Sequence, residues 1–194
     1  MARTKPQETT LIVFARDQVS SWEPNPDLAA RLQARWPQVR VLYLNDAAEL
    51  QRELPGADIV VGRWLRAEEF ALAQKVKWIH SFATGVAQMM YAGLQQSSVE
   101  VTNAASVHCV PIAEYVVGGL IALSRRFPDC MRYQQQGRWM QQELWNAPIR
   151  PRELGGQVLL MIGFGAIGRA VATALGPMKM RIWAVNRSGH ADSG

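Results

Sequence analysis

The feature that most constrains the fold is an apolar run that leads directly into three closely spaced glycines. Residues 158–162 read Val-Leu-Leu-Met-Ile, and Gly163, Gly165 and Gly168 follow with the spacing Gly-x-Gly-x-x-Gly. A helical pattern of apolar residues comes next, and then a second apolar run at residues 181–185. Strand, glycine turn, helix and strand in this order are typical of a dinucleotide-binding βαβ unit.

Each glycine of the turn has its own physical task in such a unit. We expect Gly163 to permit the tight turn, Gly165 to let a pyrophosphate approach the backbone, and Gly168 to let helix and strand pack closely. The start of the helix offers unpaired N–H groups to the phosphates. A purely structural glycine turn is the alternative. The predicted coenzyme contacts in the turn are Gly163, Phe164, Gly165, Ala166, Ile167 and Gly168.

The end of the second strand indicates which dinucleotide is preferred. An NAD site usually has Asp or Glu there, bonded to the ribose 2′-hydroxyl, whereas this chain has Asn186, Arg187 and Ser188. A guanidinium and a hydroxyl donate hydrogen bonds to a 2′-phosphate that a carboxylate would repel. The sequence therefore favours NADP over NAD, with these three residues as contacts. The alternative is that Arg187 is an ordinary exposed loop residue.

The first half of the chain alternates between predicted strands and helices. Short runs rich in Val and Ile predict strands at residues 10–15, 39–44, 58–62, 78–82 and 99–102, and helical patterns lie at 27–36, 47–54, 67–76 and 88–95. Such alternation requires crossover connections and hence a parallel sheet covered on both faces. The predicted fold is α/β, with a flavodoxin-like first unit.

A longer helix opens the second unit. Pro111 is expected in its first turn, and apolar residues at intervals of three and four up to Phe127 predict one buried face, which includes Leu123. Gly118 and Gly119 inside the helix suggest that another element packs close to them. The strand at 158–162 is expected to be buried on both faces, as in a parallel sheet. The boundary between the units is predicted near residues 103–111.

Composition excludes several classes of protein. Apolar residues make up 48% of the 194-residue chain, and no apolar run is long enough to span a bilayer. Cys109 and Cys130 have no zinc-ligand spacing, so we interpret both as reduced packing residues of a cytoplasmic protein. Residues 120–194 hold ten basic and four acidic side chains. Nucleic-acid binding is a weak explanation of this excess, because no recognition motif accompanies it.

Three blocks of sequence together resemble the D-isomer-specific 2-hydroxyacid dehydrogenase family. The first is Lys-Trp-Ile-His-Ser-Phe-Ala-Thr-Gly-Val at residues 77–86, the second comprises residues 101–103 and 107–115, and the third runs from residue 154 into the glycine turn. The resemblance implies a substrate domain over residues 1–103. It further implies a hinge helix with an incomplete Rossmann NAD(P)-binding domain over 104–194, and an active site in the cleft between the two domains.

The resemblance also implies an activity and its substrate site. The family's Ala-Thr-Gly-Val loop binds the substrate carboxylate through backbone N–H groups, and Thr84, Gly85 and Val86 match that loop. An acidic residue often follows the loop in the family, where this chain has Ala87. The implied reaction is hydride transfer between NAD(P)H and a small 2-keto acid, glyoxylate- or hydroxypyruvate-like, in a full-length form that is a homodimer without nucleic-acid or membrane partners.

No catalytic residue and no metal ligand is predicted among these 194 residues. The family's catalytic Arg, Glu and His lie later in the coenzyme domain, so we interpret the chain as the N-terminal part of such an enzyme, inactive alone. His80 and His108 are expected to pack or cap and His190 to be solvated, while Glu114 is expected to complement a helix dipole. The competing hypothesis is a non-catalytic nucleotide-binding or interaction module.

Overall fold

The computed structural model describes residues 8–16 and 23–187, and the chain forms two compact units, Met1–Ala105 and Ser106–Gly194. Both are built from parallel strands linked through helices. Parallel pairing follows from the sequence, because each strand is separated from the next by a helical crossover too long for a hairpin.

The first unit is a five-stranded parallel sheet in the order β2-β1-β3-β4-β5. This order is that of flavodoxin-like folds, so the predicted fold class is confirmed. The hydrogen-bonded register aligns the carboxyl ends of β1, β3, β4 and β5, which brings the loops after these strands to one edge of the sheet. The strands are β1 Thr9–Phe14, β2 Val39–Leu44, β3 Ile59–Gly62, β4 Trp78–Ser81 and β5 Glu100–Asn103.

Helices and short turns cover both faces of this sheet. The larger core lies on one face and contains Ile12, Leu50, Ile79 and Met89, all essentially inaccessible to solvent. On the other face, Leu11, Val13 and Val61 pack with side chains from α1. The helices are α1 Asp27–Arg35, α2 Ala47–Glu53, α3 Ala67–Phe70 and α4 Ala92–Gln95, with 3₁₀ turns at Leu54–Gly56 and Ala87–Met89.

Two of the predicted helices of this unit are shorter than expected. The helix predicted over 67–76 ends at Phe70, after which i→i+3 hydrogen bonds tighten the chain and bury Ala73 and Val76. The helix predicted over 88–95 is interrupted at Tyr91, whose backbone is extended and whose hydroxyl donates to the carbonyl of Leu65 at 3.3 Å. Tertiary packing of these side chains thus overrides the local helical pattern.

The second unit packs two helices against a two-stranded parallel sheet. Its core consists of Ala113 in α5 and Val171 and Leu175 in α8, together with the inward side chains of the strands. The unit comprises α5 Cys109–Ser124, α6 Phe127–Gln135, α7 Gln141–Asn146, β6 Val158–Ile162, α8 Ala166–Leu175, the 3₁₀ turn Gly176–Met178 and β7 Arg181–Val185.

The long helix of this unit differs from its prediction. It begins at Cys109 and ends at Ser124, because Arg126 adopts a left-handed conformation (φ 60°) before α6 starts. The predicted buried position Leu123 is 68% exposed, since Ala113 and its helical neighbours face α8 instead. The earlier start also moves Glu114 out of the first turn, so its predicted dipole role is wrong.

Two further expectations about packing are wrong. Among the described residues, no other element has an atom within 4 Å of a Cβ added at Gly118 or Gly119, so the expected close packing at these glycines is not seen. Strand β6 is not buried on both faces: Leu159 and Met161 face the core, whereas Ile162 is 91% exposed. The two-stranded sheet carries its helices on one face only.

Candidate functional site

The glycine loop between β6 and α8 has the geometry that a pyrophosphate site needs. Gly163 has φ +95°, a conformation that side chains rarely adopt, and a Cβ at Gly168 would lie 3.0 Å from the carbonyl oxygen of Gly163. Gly165 has neither constraint, because a Cβ added there meets open space. Two glycines are therefore required by the fold, and the third leaves room next to the backbone.

The start of α8 presents unpaired donors to that room. The first intrahelical hydrogen bond joins the N–H of Arg169 to the carbonyl of Gly165 at 3.0 Å, so the N–H groups of Ala166, Ile167 and Gly168 precede the hydrogen-bonded ladder. No side chain caps the helix. These N–H groups, together with the positive end of the helix dipole, suit a diphosphate.

The end of β7 lies next to the same loop. The N–H of Gly163 donates to the carbonyl of Val185 at 2.7 Å, which places the following residues, Asn186 and Arg187, beside the glycine turn. Arg187 is exposed to solvent, and Ser188 lies outside the described residues. The residues that would hold a dinucleotide are thus the glycine loop for its pyrophosphate and the end of β7 for its adenosine ribose.

The loop after β4 is held by contacts to both neighbouring strands. Ser81 Oγ donates to the carbonyl of Arg63, after β3, at 2.7 Å and accepts from the N–H of Ala83 at 3.1 Å. On the other side, Asn103 Nδ2 in β5 donates to the carbonyl of Thr84 at 2.6 Å. These side chains orient residues 83–86 at the carboxyl edge of the sheet, where ligands of open α/β sheets bind.

The donors of this loop remain available. Within the described part of the chain, the N–H groups of Thr84, Gly85 and Val86 have no acceptor, and the buried hydroxyl of Thr84 has no hydrogen-bond partner. A Cβ at Gly85 would meet open space, and its φ is not positive, so the fold itself does not require glycine there. An anion would satisfy donors that the protein leaves unpaired.

The structure gives the two described histidines other surroundings than a catalytic pair. His80 packs between Trp78 and Phe82, and its Nδ1 is 2.8 Å from Thr102 Oγ1. His108 precedes α5 but makes no side-chain capping bond. His190 lies outside the described residues. The described residues contain no cluster of His, Cys, Asp or Glu able to hold a metal ion.

Sequence reasoning missed the two side chains that hold the loop of residues 83–86 in place. Ser81 and Asn103 stand within the sequence blocks that carry the family resemblance, but the resemblance by itself assigns them no role. A usable signal existed, since both are polar residues at the carboxyl ends of adjacent parallel strands, and such residues meet at one sheet edge.

No helix within residues 8–16 and 23–187 is long and apolar enough to cross a membrane.

Comparison with known proteins gives a family-model match for most of the second unit and similarity to two curated dehydrogenases or reductases. Residues 117–193 match the family model described as D-isomer specific 2-hydroxyacid dehydrogenase, NAD binding domain. A glyoxylate/hydroxypyruvate reductase A from Arabidopsis thaliana is 30% identical over 94 residues, covering 48% of this chain and 29% of the relative. A D-3-phosphoglycerate dehydrogenase from Archaeoglobus fulgidus is 26% identical over 139 residues, covering 70% and 25%.

A solved structure extends the likeness to both units. The structure of a D-isomer specific 2-hydroxyacid dehydrogenase family protein from Aeromonas salmonicida is 26% identical with a TM-score of 0.75, covering 95% of this chain and 55% of that one. The chain thus spans about half the length of that protein and less than a third of the two curated relatives.

The fold and the glycine loop define a parallel α/β protein with a Rossmann-type dinucleotide-binding unit. The family model, the curated relatives and the solved structure all indicate the D-isomer-specific 2-hydroxyacid dehydrogenase family. The part of the family model that residues 117–193 match is described as its NAD-binding domain, which supports a nicotinamide coenzyme.

Proposed function

We propose that this chain is part of an NAD(P)-dependent oxidoreductase that reduces a small 2-keto acid, glyoxylate- or hydroxypyruvate-like, to its D-2-hydroxy acid. The observation that carries the proposal is the glycine loop, where the fold constrains Gly163 and Gly168 while Gly165 leaves open space beside the start of α8, as a bound pyrophosphate would need. The name of the reductase from Arabidopsis thaliana supports the substrate class. The bound coenzyme supplies the hydride.

In this proposal residues 1–103 form the substrate domain, and residues 104–194 contribute to the coenzyme domain. Thr84, Gly85 and Val86 bind the carboxylate of the keto acid through their N–H groups, and the Thr84 hydroxyl is placed to donate a further bond. Neutral amides bind an anion well where the loop is already held in place, because little ordering entropy is lost on binding. Ser81 and Asn103 provide that support.

We further propose that the coenzyme site prefers NADP. The strand β7 ends at Val185 and is followed by Asn186 and Arg187, without a carboxylate to bond a ribose 2′-hydroxyl. The exposed guanidinium of Arg187 is available to a 2′-phosphate, which it would bind through two parallel hydrogen bonds. Ser188 is proposed as an additional donor on the basis of the sequence alone.

The dissociation constants of NADPH and NADH test this preference. We expect the wild-type chain to bind NADPH more tightly than NADH. Arg187→Gln should raise the dissociation constant of NADPH roughly tenfold, as loss of a charged hydrogen bond implies, and should leave that of NADH unchanged. Arg181→Gln is the control, since it removes an exposed arginine from the opposite end of the same strand. Equal or weaker binding of NADPH by wild-type chain would contradict the preference.

We propose no proton-transfer role for any of these 194 residues. His80 is hydrogen-bonded to a threonine within the first unit, and His108 has an exposed position before α5. Reduction of a keto group needs a proton donor as well as a hydride donor, so the 194-residue chain should bind NADPH but show no turnover of glyoxylate. Turnover at an enzyme-like rate would refute this expectation. Binding without turnover in the longest natural form would favour the non-catalytic module.

We also propose a cytoplasmic homodimer for the full-length form. Both cysteines, Cys109 and Cys130, are unpaired, as is usual in a reducing compartment. The second unit exposes Tyr115, Leu123 and Trp139, and large exposed apolar side chains are enriched at interfaces between subunits. Sedimentation velocity of the full-length form measures the oligomeric state directly, and a monomer at micromolar concentration would contradict the proposal.

A further inference from the structure

Lys179 has a backbone conformation that usually belongs to glycine. It follows the 3₁₀ turn Gly176–Met178 with φ 55° and ψ 31°, in the left-handed region. A residue with a Cβ is disfavoured there, so its side chain needs a role that offsets the strain. Arg126, the other non-glycine residue with positive φ in the described chain, has such a role, because its guanidinium pairs with Asp129. Lys179 is exposed and has no ion pair among the described residues.

The backbone beside Lys179 belongs to the segment that leads into β6. The carbonyl of Lys179 accepts from the N–H of Gly156 at 3.0 Å, and the N–H of Arg181 donates to the carbonyl of Gln157 at 2.8 Å. A turn closed by the bond from the N–H of Gln157 to the carbonyl of Leu154, at 3.1 Å, shortens the path back along this segment. The residues just before the turn are therefore near Lys179 and Arg181 in space.

Those preceding residues include two further exposed arginines, Arg150 and Arg152. We call the four residues Arg150, Arg152, Lys179 and Arg181 the basic strip. None of the four has an ion pair within the part of the chain that the structure describes. Glu153 is the single acidic residue in the two segments that carry them, 149–158 and 176–185. Four of the ten basic residues in the second half of the chain are thus gathered without neutralising partners.

The basic strip lies at the opposite end of the small sheet from the glycine loop. Arg181 begins β7 and is paired in register with Val158, which begins β6, whereas Gly163 follows the last residue of β6. The four residue steps along β6 span about 13 Å. Phosphates bound at the glycine loop would therefore leave the charge of the basic strip unpaired, and the strip is a surface separate from the proposed coenzyme site.

We propose that the basic strip binds an acidic segment of a partner protein. Carboxylates complement its four cations, and such charge complementarity selects a partner and its orientation. Two apolar side chains adjoin the strip, Ile149 with 61% exposure and Val158 with 40%. Arginine beside apolar side chains is typical of interfaces between proteins. A nucleic acid fits less well, because bases stack on aromatic rings and these two side chains are aliphatic.

Fluorescence anisotropy with a labelled peptide tests the proposal. We expect the 194-residue chain to bind a peptide of Glu-Glu-Leu repeats, and the dissociation constant to rise with salt concentration. The double variant Arg150→Gln/Arg152→Gln should raise that constant roughly tenfold, as loss of two exposed ion pairs implies. Failure of the wild-type chain to bind the peptide overturns the proposal.

The matched control is Arg31→Gln/Arg35→Gln, which removes two exposed arginines from α1 in the first unit. It should leave the dissociation constant of the peptide unchanged, and an equal loss would contradict the proposal by showing that net charge alone attracts the peptide. Tighter binding of an oligonucleotide of equal charge would contradict it by assigning the strip to nucleic acid. NADPH affinity should be the same in Arg150→Gln/Arg152→Gln as in wild type, and a parallel loss would assign these cations to the coenzyme.

Lys179→Gly separates binding from folding at the strained position. Glycine adopts a positive φ at little cost, so the midpoint of thermal unfolding should be equal or higher, while the dissociation constant of the peptide rises roughly threefold. A lower midpoint would show that Lys179 stabilises its turn, and the argument from strain would then fail. An unchanged dissociation constant would show that the ammonium takes no part in binding, which overturns the proposal at this residue.

Discussion

At the scale of single residues, buried polar groups show how the first unit is held together. Asp58 is buried beneath the amino ends of the strands, where Oδ2 accepts from the N–H of Thr10 at 3.1 Å and Oδ1 accepts from Lys77 Nζ at 3.1 Å. Burial by itself raises the pKa of this carboxyl, but the two hydrogen bonds and the charges of Lys77 and Lys75 outweigh burial, so the pKa lies below its usual value. The ionised form is thus part of the folded structure.

Removal of this charge should weaken the first unit at neutral pH. We expect Asp58→Asn to lower the free energy of unfolding by about 1 to 2 kcal/mol, as a lost hydrogen bond to a charged group implies. Because the folded-state pKa is lowered, the stabilisation is present above the unfolded-state pKa of about 4 and disappears as the pH falls through the folded-state value. Urea denaturation at pH 7 and at pH 3 measures both effects.

The outcome at low pH is the decisive part of that experiment. Wild-type chain and Asp58→Asn should converge in stability as the carboxyl becomes protonated. Asp27→Asn, which changes an exposed carboxylate in the first turn of α1, is the matched control and should have a much smaller effect. A difference between wild type and Asp58→Asn that stays constant from pH 7 to pH 3 would show that ionisation of Asp58 does not stabilise the fold.

Tyr91 illustrates at the same scale why local pattern fails to predict a helix. Burial and the carboxylates of Glu69 and Glu68 raise the pKa of Tyr91 to about 12, so the hydroxyl stays neutral and donates to the carbonyl of Leu65. The ring also contacts Phe70, with centroids 5.8 Å apart. These contacts hold residue 91 in an extended conformation, and the sequence pattern around it contains no sign of them.

At the scale of elements, the βαβ unit allows fold and ligand binding to be tested separately. Gly165 borders open space, whereas a Cβ at Gly168 would lie 3.0 Å from the backbone of Gly163. We expect Gly165→Ala to leave stability unchanged and to weaken NADPH binding at least tenfold, because the added methyl occupies the space of the pyrophosphate. Gly168→Ala should reduce both stability and binding, since helix and loop must move apart.

Thermal unfolding and NADPH titration of the two variants check these expectations together. Gly93→Ala, in α4 of the first unit, is the control, because its Cβ also meets open space but lies in the other compact unit. It should change neither the affinity nor the stability by a large amount. If Gly165→Ala binds NADPH as tightly as wild-type chain does, the pyrophosphate does not approach that glycine.

Prediction of elements succeeded where the periodicity reflected burial and failed where a turn intervened. Strands β2, β6 and β7 have their predicted bounds, because each is a short run dominated by apolar and β-branched residues. The helix predicted up to Phe127 instead ends at Ser124, where Arg126 turns in the left-handed region, held by Asp129 and by a bond to the carbonyl of Ile149 at 3.0 Å. Because Arg126 and Ile149 are 23 residues apart, the sequence around Arg126 contains no local pattern that predicts this end of the helix.

At the scale of the whole molecule, the small sheet of the second unit has one uncovered apolar face. Leu160 is paired in register with Trp183, and Ile162 with Val185, and all four side chains are exposed. Parallel sheets are normally covered on both faces, and uncovered apolar surface favours association. We therefore predict that the segment after Pro148 is mobile or self-associating in the 194-residue chain.

Self-association of the 194-residue chain should depend on this face. We expect the sedimentation coefficient of wild-type chain to rise with concentration, and Ile162→Lys to suppress the rise, because a charge in the centre of an apolar contact costs several kcal/mol. Leu72→Lys, at an exposed apolar position of the first unit, is the control and should not suppress it. Strong hydrogen-exchange protection of residues 158–162 in a demonstrated monomer would contradict the prediction.

The sequence by itself determined the order of strands and helices, the parallel α/β class and the place of the glycine loop, because strand length, crossover length and the glycine spacing are local properties. Only the tertiary structure decided how strongly the fold constrains each glycine. The spacing predicted separate roles for Gly163, Gly165 and Gly168, and the structure adds that Gly163 has a positive φ, that Gly165 borders open space and that a Cβ at Gly168 would lie 3.0 Å from the backbone. Likewise, the unpaired donors of the loop at Thr84 depend on Ser81 and Asn103, whose contacts arise from strand register. These properties depend on distances between segments that are far apart in the chain, and the order of residues alone does not specify those distances.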